Sequence, residues 1–359
     1  MELGASVAAP AAGQILGDLG AQVWKIEKAD GDDARKWGPP FVDGAAATFQ
    51  ALNRNKRSVV CNLRNENHRA ALVRFILESA HVVLQNLRPG QADALGLGAP
   101  GLLAQKPGLV YCNIGAFGRS GPLSGRPGYD PLMQAFGGIM SAVGEQGRPP
   151  VRVGPSIVDV GTALWAVIGI LSKLHSRRGG VVDVSLFETA ATWMQMYAAQ
   201  YSACGELPVR AGSGQASIVP YRAYRTADGD LVVAAGNNPL FRELCGALEH
   251  PEWAHDPRFR DNADRVAHAA LLNGMIEAEM AKRSSGEWSE LLERAGIPCA
   301  PVQNVGEMLA HPQMKALGLL QSVAGSSIPL LGLPISFDGV RPDAGRAAPA
   351  LGAHTKEIL

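Results

Sequence analysis

The chain has no surplus of charge of either sign: 33 Lys and Arg stand against 33 Asp and Glu in 359 residues. That balance gives no field to draw it to nucleic acid or to an anionic membrane, which leaves small molecules and other proteins as partners. Cysteine is scarce as well. Cys61, Cys112, Cys204, Cys245 and Cys299 lie far apart, odd in number and without a C-x-x-C pair, which argues against a disulfide framework and a zinc site and fits a reducing, cytoplasmic setting. The opening M-E-L-G-A-S-V-A-A-P lacks the basic flank and long apolar core of a signal peptide. The longest apolar runs, such as 163–171, fall short of the ~20 residues of a membrane span, so no membrane partner is expected. Eight histidines form neither H-E-x-x-H nor H-x-E with P-C-x-x-C, and Ser185 stands in no G-x-S-x-G elbow, so no metal site or serine triad is read here. Glu27 ends an apparent second strand, where dinucleotide-binding folds carry an acid. The turn before it, G-A-S-V-A-A-P-A-A-G, lacks the G-x-G-x-x-G such folds need.

What is abundant is glycine and proline, 42 and 24 residues scattered among apolar segments. Scattered in that way they mean tight turns in a folded protein, not a disordered tract. The length exceeds what one core usually fills, so two domains are expected. Strand patterns ending at Leu3 and at 23–27, 58–63, 81–86 and 109–114 alternate with helical periods at 10–19 and 68–80, which predicts an α/β fold on a mainly parallel sheet. A further helix after Asp159, a strand at V-V-D-V-S and another helix to about 203 complete this unit. Beyond Gly205 the character changes: two strands around an Asp-Gly turn and amphipathic helices near 240–248, 266–283 and 287–295 predict a smaller α+β unit. The expected division is therefore a large domain at 1–204, a small one at 205–315, and a Gly- and Pro-rich segment at 316–359 returning to the large domain.

Chemistry concentrates in residues 125–169, where G-R-P-G-Y-D and a glycine-rich middle lead into S-I-V-D-V-G-T-A and a long apolar helix pattern. Asp159 stands at the mouth of that helix. Read alone it is either an ordinary N-cap or a carboxylate kept ionised by free N–H groups and the helix dipole. Ten glycines between 115 and 154 bring backbone close to whatever binds there, and a carboxylate in such a place can serve as a covalent nucleophile. The basic runs N-R-N-K-R-S at 53–58 and G-D-D-A-R-K-W at 31–37 read as solvated loops or phosphate sites. N-L-R-P-G at 86–90 follows a strand, so it lies at a carboxyl end, where ligands bind in open α/β sheets.

Taken in order, D-L-G-A-Q-V-W-K-I-E-K, G-D-D-A-R, L-N-R-N-K-R-S-V, N-L-R-P-G, G-Y-D-P-L-M-Q-A, V-D-V-S-L-F-E, S-I-V-P-Y-R-A-Y-R-T-A-D-G, A-G-I-P-C-A-P-V and the closing A-L-G-A-H-T-K-E-I-L make the chain resemble the class III CoA-transferase family, which also holds α-methylacyl-CoA racemases. The resemblance implies a large Rossmann-like domain with a smaller α+β domain, and an intertwined homodimer. It implies Asp159 as the nucleophile that becomes an aspartyl-CoA thioester, with CoA part of the substrate and no permanently bound cofactor. Val7, Ala8, Arg35, Leu63, Asn86, Leu87 and Tyr129 would line the site of the acyl-CoA. Gly212, Ser213, Gly214 and Gln215 match a mobile glycine loop, although some transferases carry four consecutive glycines where this chain has G-S-G-Q. The family usually has a stretch before the first strand, so either a lack of part of strand one or a start placed late is expected here.

Racemases of the family place a histidine where this chain has Tyr129. A phenol, with its ordinary pKa of about 10, is a poor substitute for a histidine base at neutral pH, which favours the transferase over the racemase. A third reading, a CoA-binding protein without turnover, leaves Asp159 as a cap. Within the transferases the resemblance is to the succinyl-CoA-dependent branch that acts on glutarate, hydroxymethylglutarate or itaconate. A dicarboxylate needs a cation for its distal carboxyl, and Arg152 and Arg126 are the candidates.

Overall fold

The structure, a computed structural model, describes residues 1–359. Two compact units form: the larger takes Met1–Ile139, Arg152–Ala199 and His311–Leu359, the smaller Met140–Val151 and Gln200–Ala310.

The larger unit is built on six strands, β1 (Glu2–Leu3), β2 (Val23–Glu27), β3 (Lys56–Val60), β4 (Val82–Gln85), β5 (Val110–Gly115) and β6 (Gly180–Ser185). They lie parallel in the order β3-β2-β1-β4-β5-β6. This is the doubly wound Rossmann order, in which the direction of winding reverses between β1 and β4. The helices are α1 (Ala8–Asp18), α2 (Glu66–Ser79), α3 (Ala99–Gln105), α4 (Asp130–Phe136), α5 (Ile157–His175) and α6 (Leu186–Trp193). Leu72, Ile76 and Leu102 pack with Val59, Val83, Leu109 and Tyr111 into one buried cluster. Cutting Leu72 or Ile76 back to alanine in such a place costs about 2–5 kcal/mol. On α1, small residues Ala8, Ala9, Ala11, Ala12 and Gly13 are buried, and the helix packs against α5.

The strand positions read from the pattern hold for β2 residue for residue, while β3 starts two residues earlier than read. The reading of 163–171 understated the apolar stretch. Helix α5 runs 19 residues and is long and apolar enough, on length and composition, to cross a bilayer. Here Val158, Thr162, Ala166 and Ile170 are buried, whereas Val160, Leu164, Ile168 and Leu171 are exposed. The segment 311–359 lies in the larger unit, where Thr355 Oγ1 accepts from Val60 N at 3.0 Å and Ser58 Oγ accepts from Gly352 N at 2.9 Å.

The smaller unit has an antiparallel sheet of β7 (Tyr221–Arg225), β8 (Asp230–Ala234) and β9 (Cys299–Pro301) in the order β9-β8-β7. Helices α7 (Asn238–Ala247), α8 (Ala269–Met280) and α9 (Ser285–Arg294) accompany it. Tyr224, Leu231, Val233, Phe241, Leu272, Ile276 and Trp288 share a buried core. Inside that core Arg265 is fully buried, held by the carbonyls of Val219 and Phe259 at 2.8 and 3.1 Å and by Asn238 Oδ1 at 2.9 Å. At the start of α9, Ser284 and Glu287 cap each other's backbone N–H groups as a capping box.

Candidate active site

In an open α/β sheet the ligand crevice lies beyond the carboxyl ends of the strands, at the point where the strand order reverses. A cavity of about 1580 Å3 occupies that place in the larger unit. It exceeds the ~300–1,000 Å3 of ordinary small-molecule pockets and has room for an extended ligand. The loop after β1 forms one wall, Leu63 after β3 and Asn86 and Leu87 after β4 continue it, and Tyr129 and Asp159 stand at the far side. Lys28, Arg64, Arg88, Arg119 and Arg126 also line it. Lys28 is paired with Asp33 at 2.6 Å and Arg119 with Asp183 at 3.5 Å. Arg64, Arg88 and Arg126 have no carboxylate partner and are available to an anion.

Asp159 is the third residue of α5, not its N-cap. The cap expected of it is supplied from outside the helix. The buried carboxylate of Asp130, on the first turn of α4, accepts from Val158 N at 2.8 Å and Asp159 N at 3.2 Å, and its other oxygen accepts from Gln134 Nε2 at 2.6 Å. The Asp159 carboxylate is therefore released from capping. It is half-buried on the cavity wall with no cation beside it. Burial, and after it the like charge of Asp130, push its carboxyl up to about 7. The ionised state expected from capping at Asp159 itself is thus corrected: near neutrality the group divides between acid and carboxylate, because the N–H donors that would have stabilised its charge serve Asp130.

The ends of β4, β5 and β6 also bring polar side chains to the cavity. Gln85, Asn113 and Asp183 are in register across β4, β5 and β6. Gln85 Nε2 donates to Asn113 Oδ1 at 2.6 Å, and Asn113 Nδ2 donates to Asp183 Oδ1 at 2.7 Å. Gln85 Oε1 accepts from Leu87 N at 2.7 Å, which fixes the chain leaving β4. Ser185 Oγ donates to Glu188 Oε2 at 2.5 Å and accepts from Glu188 N as the N-cap of α6.

Most charged side chains of the 53–58 run are taken up inside the fold, whereas in the 31–37 run Asp33, Lys36 and Trp37 stay exposed and Gly31, Asp32, Asp33 and Trp37 line the cavity. Asn53, Arg54, Lys56 and Ser58 are all buried. Arg54 clasps Asp18 with three hydrogen bonds, one of them Nη2 to Oδ2 at 2.6 Å. Lys56 meets Glu2 at 2.8 Å, and Lys25 meets Glu2 at 3.0 Å and Asp32 at 2.8 Å. Arg35 is likewise engaged. Its guanidinium makes a two-pronged contact with Glu27 at 2.8 and 2.7 Å, stacks 3.9 Å over Phe49 and donates to Pro349 O at 3.1 Å. The acid at the end of β2 is thereby occupied by an arginine of its own chain.

Of the residues singled out from the sequence, Val7, Ala8, Leu63, Asn86, Leu87, Tyr129 and Asp159 come together on the cavity, whereas Arg35 and Arg152 do not line it. Arg152 turns onto its own loop, Nη1 donating to Gly154 O at 2.9 Å; Arg126 is the candidate that reaches the cavity. Gly212, Ser213, Gly214 and Gln215 belong to the smaller unit. There Gly212, at φ 62°, donates to Gly144 O at 2.8 Å, and Ser213 Oγ accepts from Ala223 N at 3.1 Å. Asp130 and Arg64 escaped the sequence reading, whereas Arg88 lay inside the N-L-R-P-G segment read as a ligand site. Arg64 carried a legible signal, following a strand at its carboxyl end; the role of Asp130 did not.

Fold and site together define an open α/β protein with a large cavity at its switch point, lined by cations and acids together, with the half-buried Asp159 carboxylate on its wall. The chain belongs to CoA-transferase family III, whose family model matches residues 1–355. It is 35% identical over 373 residues to the succinate–glutarate CoA-transferase of Agrobacterium fabrum, covering 100% of this chain and 93% of that one. It is 32% identical over 367 residues to the human succinyl-CoA:glutarate CoA-transferase, covering 100% and 84%. Among solved structures, a CAIB/BAIF family protein from Brucella suis superimposes with a TM-score of 0.90 at 37% identity, covering 99% of this chain and 96% of that one. The chain is an enzyme of the CoA-transferase class.

Proposed function

We propose that the protein moves CoA from succinyl-CoA to a small dicarboxylic acid through covalent chemistry at Asp159. The observation that carries this reading is the Asp159 carboxylate itself, unpaired, half-buried and set on a cavity large enough for a CoA thioester. The names of the relatives support the donor and the acceptor class. An Asp159 oxygen attacks the thioester carbonyl; the C–S bond breaks, leaving a mixed anhydride and CoA thiolate. The thiolate then attacks the aspartyl carbonyl and expels succinate, giving the aspartyl-CoA thioester. The acceptor carboxylate attacks that thioester and releases the thiolate, which takes the acceptor's acyl group and frees Asp159. A partly desolvated carboxylate poised near neutral pH suits the first step, since less hydration has to be stripped from it.

Arg64 and Arg88 are suited to the phosphates of CoA and Arg126 to the acceptor's distal carboxylate. The exposed apolar face of α5, with Trp165 beside Leu164 and Ile168, supports association of two copies. Five free cysteines fit a reducing cytoplasm. The test is to mix the protein with succinyl-CoA, trap with hydroxylamine or borohydride, and locate the modification by mass spectrometry. An unmodified Asp159 peptide while CoA exchange proceeds would sink the mechanism, and α-proton exchange into deuterium oxide without an acceptor acid would point to the racemase instead.

A further inference from the structure

The turn between β1 and α1 forms one wall of the cavity, yet little in its own sequence fixes it. It holds Gly4, Ala5, Ser6 and Val7, and α1 begins after Val7 with no side-chain cap. Ser6 sits at φ 70°, a backbone region that L-residues rarely adopt. What holds this turn comes from elsewhere in the fold. Lys25 Nζ donates to Gly4 O at 2.9 Å. Asn86 closes a reciprocal pair with Ala5, accepting from its N–H at 3.0 Å and donating to its carbonyl at 2.9 Å. Asp32 Oδ1 accepts from Ser6 N at 3.1 Å.

The charges behind these contacts are matched in number, partly by hydrogen bonds and partly, at Asp32 Oδ2 and Glu2 Oε2, by ion-pair contact alone. An ammonium has three N–H bonds, and Lys25, fully buried on β2, meets three acceptors: Glu2 Oε1, Asp32 Oδ2 and Gly4 O. Lys56 does the same with Glu2 Oε2, Asn53 Oδ1 and, in the first turn of α1, the carbonyl of Pro10 at 2.7 Å. Two buried cations thus balance two buried anions, and each cation ends on a backbone carbonyl of the loop or of the helix it starts. A side chain at Gly13 would come within 1.9 Å of Glu2 Oε2, so α1 rests directly on this network. Buried ion pairs seldom stabilise more than apolar packing of the same volume; what they supply is placement.

We propose that Lys25, Asp32 and Asn86 form a three-point clamp that fixes residues 4–6, and that Lys25, which does not line the cavity, is a positioning residue for the CoA part of the thioester. The identity of the ligand rests on the CoA-transferase reading above; the clamp does not. Its consequence is a division of labour: loosening the clamp weakens the hold on the CoA thioester and leaves the chemistry at Asp159 and the acceptor subsite as they were.

The experiment compares wild type with two variants. Lys25→Met with Asp32→Asn removes one charge of each sign together, so Glu2 and Lys56 remain a balanced pair; Asn86→Ala removes the third contact without disturbing any charge. Amide hydrogen exchange in the peptide covering residues 4–8 is measured without ligand, and the KM for succinyl-CoA, the KM for the acceptor and kcat are measured in turnover. Exchange in the peptide is expected to quicken, and the KM for succinyl-CoA to rise, by about tenfold or more, the scale of one lost hydrogen bond to a charged group. The acceptor KM and kcat are expected to stay within about twofold. Unchanged exchange in both variants overturns the clamp. So does a fall in kcat or a rise in acceptor KM that matches the change for succinyl-CoA, since general loosening would do that. If the double variant fails to fold, Asn86→Ala decides the clamp by the exchange reading alone, because Asn86 itself lines the cavity. Faster exchange in a protein that binds no CoA in any form would uphold the clamp and overturn the transferase reading.

Discussion

The two halves of the large sheet handle charge in opposite ways. On the β1-β2-β3 side Glu2, Lys25, Asp32 and Lys56 are buried, and Glu27 is paired with Arg35, so that every ion has a counter-ion within about 3 Å. On the β4-β5-β6 side the polar row of Gln85, Asn113 and Asp183 is mostly neutral, and Asp159 beyond it faces the cavity without a cation. Paired ions are held in place and lose their reactivity. The unpaired carboxylate pays for its position in an elevated pKa and keeps its lone pairs for a substrate.

The widest separation between the halves should come from two single changes. Asp159→Ala is expected to cut CoA transfer by about a thousandfold or more, the usual scale for losing a covalent nucleophile, with CoA affinity little changed. Steady-state rates and isothermal titration check it, and rapid turnover by the variant would break the contrast at its reactive end. Lys25→Met alone leaves Glu2 with Lys56 and strips the buried Asp32 of its counter-ion. It is expected to cost about 3–5 kcal/mol of stability, the range for breaking a buried pair from one side. Urea unfolding reads this directly, and a loss below about 1 kcal/mol would mean that the network is not the support described here.

This contrast also marks what was legible in the sequence. Alternating strands and helices, and with them a mainly parallel sheet, were legible because burial on both faces writes short apolar runs locally; the doubly wound order came only from the family resemblance. The fate of N-R-N-K-R-S was not. A charge is buried only when its partner arrives, and the partner of Arg54 is Asp18, 36 residues away, with nothing local to announce it. Asp159 was found but its surroundings were misread for the same reason, since the cap on α5 comes from Asp130, 29 residues upstream of it. The strand Cys299–Pro301 left no pattern at all, being three residues long and ending in proline.

A smaller effect sharpens the paired half. Arg35→Lys keeps the charge but loses the planar fork that meets both oxygens of Glu27. A stability loss of about 1–2 kcal/mol is expected, with the affinity for CoA within about twofold of wild type. Titration calorimetry beside thermal unfolding separates the two. A large loss of CoA affinity at unchanged stability would return Arg35 to the acyl-CoA site in which the family resemblance put it.

The finest test concerns the unpaired half and is read in pH. Asp159 must be ionised to attack, and its carboxyl lies near 7, so the rate of anhydride formation is expected to rise with pH through about 7 and level off above it. Asp130→Asn keeps an oxygen to accept from Val158 N and Asp159 N but removes the neighbouring charge, the second of the two causes; burial, the first, remains. The acid limb of the profile should therefore move to lower pH and still lie above the usual carboxylate value of about 3.9. Linkage gives a second reading with a definite sign. A carboxyl whose folded pKa is raised holds its proton more tightly in the folded state, so stability falls as pH rises from the unfolded value through about 7. Asp159→Asn removes that loss, and its advantage over wild type in thermal unfolding should be larger at pH 8 than at pH 4. An acid limb left in place by Asp130→Asn, together with an advantage of Asp159→Asn that does not change with pH, would mean that Asp159 is not coupled to its surroundings and that the two halves of the sheet differ less than their geometry implies.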